Sequence, residues 1–248
     1  MKDHFYLIHG WGFDSRVMNA ITPCLEENYK TSFLNMPGYG SDTVSGDSKD
    51  IDSIANALMS EITKDCILGG WSLGGMVAIR IAAKIKNKVK ALVLINSTPC
   101  FVRKPDWSHG MEKNLIENMC QRINDGEKEK VLKEFALVVA KGDASSNNVL
   151  RKLYSLLSNN LPDKNTLKDG LSILINADLR KDLEQLMCPV ILILAENDQL
   201  IARSSGTAIK KLCANPRIEH VQSAGHAPFI SRPSEFCNIL NNRLKDIH

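Results

Sequence analysis

No apolar run in this chain approaches the roughly 20 residues that a membrane-spanning helix requires, and the longest, such as residues 190–195, have strand length. A secretory leader is not expected, because Met1-Lys2-Asp3-His4-Phe5-Tyr6-Leu7-Ile8 runs into a glycine turn with no room for a leader core and cleavage site. Charge of one sign is scarce: 31 basic against 28 acidic residues give a formal net charge of +3, too slight to point to nucleic acid. A Cys-x-x-Cys pair is missing, and the seven cysteines are odd in number and scattered, so buried free thiols are expected in place of a disulfide framework or a zinc site. With 15 Gly and 9 Pro the chain is not of low complexity. What is present is ordinary globular material: 248 residues, 44% hydrophobic and 24% charged, enough for one or two domains with a large core. A cytoplasmic location is expected.

Short β-branched runs at residues 5–9, 31–34, 66–68, 91–95, 190–194 and 217–221 alternate with amphipathic stretches at 72–84, 203–213 and 233–244. This is the pattern of an α/β fold, a mostly parallel sheet flanked by helices. The alternation stops near Pro99 and resumes at Cys188-Pro189-Val190, and between them only helical patterns occur. Residues 1–100 and 181–248 therefore read as the core, and 101–180 as an inserted helical cap, or lid. Its clearest helix spans 127–140, where Val131, Leu132, Phe135, Val138 and Val139 share one face.

Gly70-Trp71-Ser72-Leu73-Gly74 matches G-x-S-x-G between an apolar strand and a helical pattern. A nucleophilic serine on such a sharp turn needs very small residues two positions either side, and the helix behind it points N–H groups at developing negative charge. Serine alone is a weak nucleophile and needs a base and an acid that orients the base. His226, in the small-residue loop Ser223-Ala224-Gly225-His226-Ala227-Pro228-Phe229 after the last strand, is the expected base. His9 reads as a scaffold for its own loop, and His4, His109, His220 and His248 have no comparable setting. Asp198, just beyond the strand at 190–194, is the expected acid; Glu196 competes locally, and Asp178 reads as the ion-pair partner of Arg180. The order Ser72, Asp198, His226 is that of the α/β-hydrolases. His9-Gly10-Trp11-Gly12 follows the first strand, so the backbone N–H groups of Trp11 and Leu73 are the expected oxyanion hole. No metal or organic cofactor is expected.

His9-Gly10-Trp11-Gly12, Gly69-Gly70-Trp71-Ser72-Leu73-Gly74-Gly75, Ser97-Thr98-Pro99-Cys100-Phe101 and above all Gly225-His226-Ala227-Pro228-Phe229-Ile230-Ser231 with Pro233-Ser234-Glu235-Phe236-Cys237 closely resemble the BioH family. These are the pimeloyl-[acyl-carrier protein] methyl ester carboxylesterases of biotin synthesis. The resemblance implies hydrolysis of the methyl ester of pimeloyl-[acyl-carrier protein], with substrate contacts from Trp11, Ser72, Leu73, Phe135, Ala136, Leu137, Val138, Val139 and His226. It also implies docking of an acidic carrier on the cap. Lys130 and Arg151 stand where basic residues are expected, whereas Glu134 and Asn147 replace arginines and Val139 replaces a glutamine that the family can carry. Docking is then weaker or uses Lys128, Lys133, Lys141 or Lys152. The sheet is expected to lack two antiparallel opening strands, which leaves an edge exposed. A monomer is expected, with neither nucleic acid nor membrane as partner. An esterase for free small esters, a menaquinone-pathway-type lyase using the same triad, and a non-catalytic binding module are the alternatives.

Overall fold

The computed structural model describes residues 2–40, 50–158 and 161–245. Six strands, β1 (Asp3–Ile8), β2 (Tyr29–Leu34), β3 (Cys66–Trp71), β4 (Val89–Ile95), β5 (Val190–Ala195) and β6 (Pro216–Val221), form one sheet in the order β2-β1-β3-β4-β5-β6. Every pairing is parallel. The helices are α1 (Thr22–Leu25), α2 (Ile51–Met59), α3 (Leu73–Lys84), α4 (Lys113–Asn124), α5 (Lys128–Ala140), α6 (Ser146–Leu157), α7 (Lys164–Asn176), α8 (Arg180–Glu184), α9 (Ser205–Leu212), α10 (Pro228–Ser231) and α11 (Pro233–Lys245).

The central strands β3, β4 and β5 are almost wholly buried, which is why they read as continuous apolar runs without alternation. The six strands fall at the expected places with ends moved by one or two residues, β1 starting at Asp3 and stopping at Ile8 before His9, and at β3 the difference is larger. β3 runs on through Gly69-Gly70-Trp71 although glycine weakens strands. A Cβ on Gly69 would lie 2.9 Å from Leu7 and 3.0 Å from Phe5, so β1 side chains occupy the space that a side chain there would need. Close packing of neighbouring strands, invisible in a local pattern, keeps these glycines in the sheet.

Four long helices, α4 to α7, occupy the chain between β4 and β5. The approach to them, residues 100–111, is not helical: Val102 bridges Met111 and Cys100 bridges Asp178 in short β-pairs. β2 and β6 form the two edges of the sheet.

The expectation of free thiols throughout is corrected at two positions. Cys24 and Cys237 form a disulfide, with Cα atoms 4.8 Å apart, that ties α1 to α11. The two are 213 residues apart in sequence and meet only because the last helix packs beside the first. Cys66, Cys100, Cys120, Cys188 and Cys213 are free. Burial pushes the Cys66 and Cys213 thiols up to about 12, so neither supplies a thiolate at neutral pH. Among the described residues, no helix is long and apolar enough to cross a membrane.

Candidate active site

Ser72 sits between β3 and α3 with φ +55° and ψ −121°, a region that non-glycine residues enter only when their surroundings force it. The forcing is visible on both sides. A Cβ on Gly70 would lie 2.2 Å from the Gly74 carbonyl oxygen, and one on Gly74 would lie 2.3 Å from the carbonyl oxygens of Ile8 and His9. The turn closes only with glycine at both positions. It is held further by the Ser72 N–H donating to Ile95 O (3.0 Å) and by Ser97 Oγ donating to Ser72 O (2.7 Å).

His226 and Asp198, 28 residues apart in sequence, meet at the same rim. His226 Nδ1 lies 2.7 Å from Asp198 Oδ2, with both side chains buried. The other carboxylate oxygen of Asp198 accepts the backbone N–H groups of Leu200 (2.8 Å) and Ile201 (3.2 Å), which fix it in a turn just past β5. Nδ1–H donation to the carboxylate leaves Nε2 as the acceptor nitrogen, and Nε2 is buried with no hydrogen-bond partner among the described residues. No hydrogen bond joins Nε2 to Ser72 Oγ among the described residues, so the structure brings His226 to Asp198 but does not close the contact to the serine.

The His9-Gly10-Trp11-Gly12 turn lies against the serine turn: a Cβ on Gly10 would meet the Trp71 ring at 2.9 Å and Ser72 Cβ at 3.2 Å. Leu73 is the first residue of α3, so its N–H has no acceptor within the helix. The Trp11 side chain is pinned by Nε1–H donation to Leu167 O (2.8 Å) and edge-on packing against Phe135. His9 is wholly buried, with Nε2 accepting the Met36 N–H and Nδ1 bonded to Gly10 O, and burial holds its pKa down to about 4. It therefore braces its own loop as a neutral ring.

The remaining candidates go elsewhere. Glu196 accepts the Ser223 N–H and lies 3.9 Å from Arg203. Asp178 pairs with Arg180 and Lys104, whose hydrogen bonds hold its carboxyl well below the usual range. His4 bonds Ser32, His109 bonds Ser204, and His248 lies outside the described residues. Among the described residues no group of three or more His, Cys, Asp or Glu side chains is arranged to hold a metal ion.

An apolar cavity of about 270 Å³ opens beside α4, α5 and α7, walled by Trp11, Phe101, Met111, Phe135, Val138 and Leu200 among others. Trp11 and Leu200 link it to the serine and aspartate loops. Of the five cap residues expected at the substrate, Phe135 and Val138 reach this wall; Ala136 and Val139 are buried off it, and Leu137 is about half exposed on another side of α5. Helical rotation places 135 and 138 on one face and 137 off it. Ser72, Leu73 and His226 are not on that wall. A larger cleft of about 560 Å³ lies between α9 and β6 and contains none of these residues.

Two residues with no functional signal in the sequence organise the site. Asn96, at the end of β4 with φ +41°, donates through Nδ2 to the carbonyls of Gly225 (3.3 Å) and His226 (3.1 Å) and accepts the Ala195 N–H at Oδ1 (2.8 Å). Trp71 Nε1–H also donates to His226 O, at 2.8 Å. An Asn-Ser pair after a strand reads as turn chemistry, and nothing local signals partners 99 to 130 residues away.

A parallel sheet with helices on both faces and a serine on a strained strand-to-helix turn define the class, that of the α/β-hydrolases. The sequence profile of the Alpha/beta hydrolase family matches residues 5–239, and the chain belongs to that family. It is 33% identical to a pimeloyl-[acyl-carrier protein] methyl ester esterase of Nitrosomonas europaea, covering 95% of this chain and 93% of that protein. Equivalent esterases of Wigglesworthia glossinidia brevipalpis (32% identity, 96% and 92% covered) and Klebsiella pneumoniae (30%, 96% and 91%) are similar over the same span. Among solved structures, an esterase from Exiguobacterium antarcticum superposes with a TM-score of 0.89 at 20% identity, covering 98% of this chain and 92% of the other. A bromoperoxidase from Bacillus anthracis does so with 0.90 at 18%, covering 99% and 92%. At those identities the likeness concerns the fold.

Proposed function

We propose that this chain is a serine carboxylesterase that hydrolyses the methyl ester of pimeloyl-[acyl-carrier protein], releasing methanol and pimeloyl-[acyl-carrier protein] for biotin synthesis. The observation that carries the substrate is the similarity, over nearly the whole length including the cap, to esterases bearing that name. The apolar cavity beside Trp11, suited to a methylene chain, supports the same reading.

In this mechanism Ser72 Oγ attacks the ester carbonyl while His226 Nε2 takes its proton, and Asp198 stabilises the imidazolium through Nδ1. The N–H groups of Trp11 and Leu73 hold the tetrahedral oxygen. Collapse of the intermediate breaks the bond to the methoxy oxygen, which leaves as methanol with the proton from His226. Water, deprotonated by the same nitrogen, then attacks the acyl-serine and frees the pimeloyl carboxylate and Ser72.

The division into a core of residues 1–100 and 181–248 and a cap of 101–180 belongs to this proposal, as do a cytoplasmic location and a monomeric state. Lys130 and Arg151 are exposed on α5 and α6, where an acidic carrier would reach them. Lys130 lies 3.5 Å from Glu127, and Arg122 binds both Glu127 and Glu134, so much of the cap's charge on α5 is internally matched. Docking then depends on few cations.

The test is release of pimeloyl-carrier from its methyl ester by wild type and Ser72→Ala, with a short p-nitrophenyl ester run alongside. Cleavage by wild type and its loss in Ser72→Ala are expected. Cleavage of the small ester alone would leave a general esterase and remove the carrier substrate.

A further inference from the structure

The cap does more than cover the cavity, because its turn after α5 is bonded to the loops that carry His226 and Asp198. The His226 N–H donates to Val139 O (3.1 Å), the Gly225 N–H donates to Asp143 Oδ2 (3.0 Å), and the Ala144 N–H donates to Ser223 O (3.1 Å). On the acid side, Asn197 Nδ2 donates to Gly142 O at 2.9 Å. Gly142 has φ +85°, and a Cβ there would lie 2.4 Å from Asn197 O, so the turn fits against the Asp198 loop only as glycine.

Asp143 is the anomalous member. The residue is 8% exposed, and among the described residues no lysine or arginine forms an ion pair with it. A buried unpaired carboxylate is costly unless N–H groups satisfy it. Here Oδ1 accepts the Ser145 N–H at 2.6 Å, which shapes the turn locally, and Oδ2 is spent wholly on the Gly225 peptide. The next peptide has its N–H on Val139 and its carbonyl on Trp71 and Asn96, so the backbone under the imidazole is fixed from the cap on one side and from the sheet on the other.

We propose that Asp143 is a positioning residue: from the cap, its carboxylate fixes the Gly225-His226 backbone and thereby the imidazole against Asp198. The inference rests on His226 being the general base. It makes the cap a structural part of the proton-transfer machinery as well as a roof. α5 carries both Phe135 and Val138 on the cavity wall and Val139 on the His226 N–H.

The test uses Asp143→Ser and Asp143→Asn in the full chain. Serine can still cap the local turn but lacks the second oxygen. Asparagine keeps the shape and, with its oxygen on Ser145, turns an N–H donor toward Gly225. Expected are a fall in kcat of about tenfold on a short p-nitrophenyl ester with KM within about twofold, since small misplacement of a reacting group costs rate more than binding. The downfield proton resonance of the His226–Asp198 hydrogen bond should shift or broaden in both. If Asp143→Ser unfolds, Asp143→Asn decides by the same two readouts. Wild-type kcat and an unmoved resonance in a folded variant would overturn the proposal. Ser72→Ala and His226→Ala in the same assay separate it from the reading beneath: activity surviving in those would remove the base itself.

Discussion

Asn96 Nδ2 donates to the backbone carbonyl of His226 across 3.1 Å, while its Oδ1 holds the N–H of Ala195 at the end of β5. One amide thus spans the strand that leads to Asp198 and the loop that carries His226, and only a side chain that is donor and acceptor at once can do so. Asn96→Asp replaces the donor with an oxygen facing two carbonyls in a buried site. A loss of about 3 kcal/mol in unfolding free energy is expected, with a fall in kcat, measured by urea denaturation and ester hydrolysis. Asn96→Asp with wild-type stability would show that the amide is not a structural bridge.

His9 gives the protein a pH dependence separate from its reaction. Its folded pKa of about 4 lies below the ordinary value of 6.5, so the unfolded chain binds the proton more readily between those values. Stability is then full above pH 6.5 and is lost as pH falls toward 4, by about 3 kcal/mol from this group. His9→Gln, which can still accept the Met36 N–H, should flatten that part of the stability curve. Denaturation midpoints at pH 7 and pH 4.5 for both proteins provide the check, and an equal drop in the two would assign the acid sensitivity elsewhere.

The cavity wall predicts selectivity by chain length. Val138→Phe adds bulk into a space of about 270 Å³, so kcat/KM for long acyl esters should fall by about tenfold or more while short esters are affected little. Leu137→Phe, on the half-exposed side of α5, should leave both unchanged. A p-nitrophenyl ester series of increasing chain length reads this directly.

The Cys24–Cys237 cross-link closes most of the chain into one loop, and a long loop restrains the unfolded chain strongly. Cys237→Ser should lower unfolding free energy by about 2–4 kcal/mol under oxidising conditions, with little change in activity at room temperature. Thermal melts with and without reductant test it: wild type should respond to reductant and the variant should not.

Local pattern was enough to locate the six strands and the serine turn, because each follows from apolar periodicity or from glycine spacing within a few residues. Ser72 is legible in this way: Gly70 is required by its contact with Gly74 inside one strand-turn-helix unit, whereas Gly74 is also required by the carbonyls of Ile8 and His9 at the end of β1. The similarity to the pimeloyl esterases runs over 95–96% of the chain.

What the tertiary structure alone decided is everything that depends on two distant segments meeting. Sequence position just past β5 pointed to Asp198 as the partner of His226, with Glu196 as the competitor, but that Asp198 turns to the imidazole and Glu196 to the Ser223 N–H shows only in the tertiary structure. Rotation about α5 sent Phe135 and Val138 to the cavity and Leu137 away from it. Cys24 met Cys237, Asn96 met His226 and Asp143 met Gly225 for the same physical reason. Packing of helices and strands fixes such encounters through the sum of many weak contacts, so a residue's neighbours along the chain carry no mark of the partner it will find.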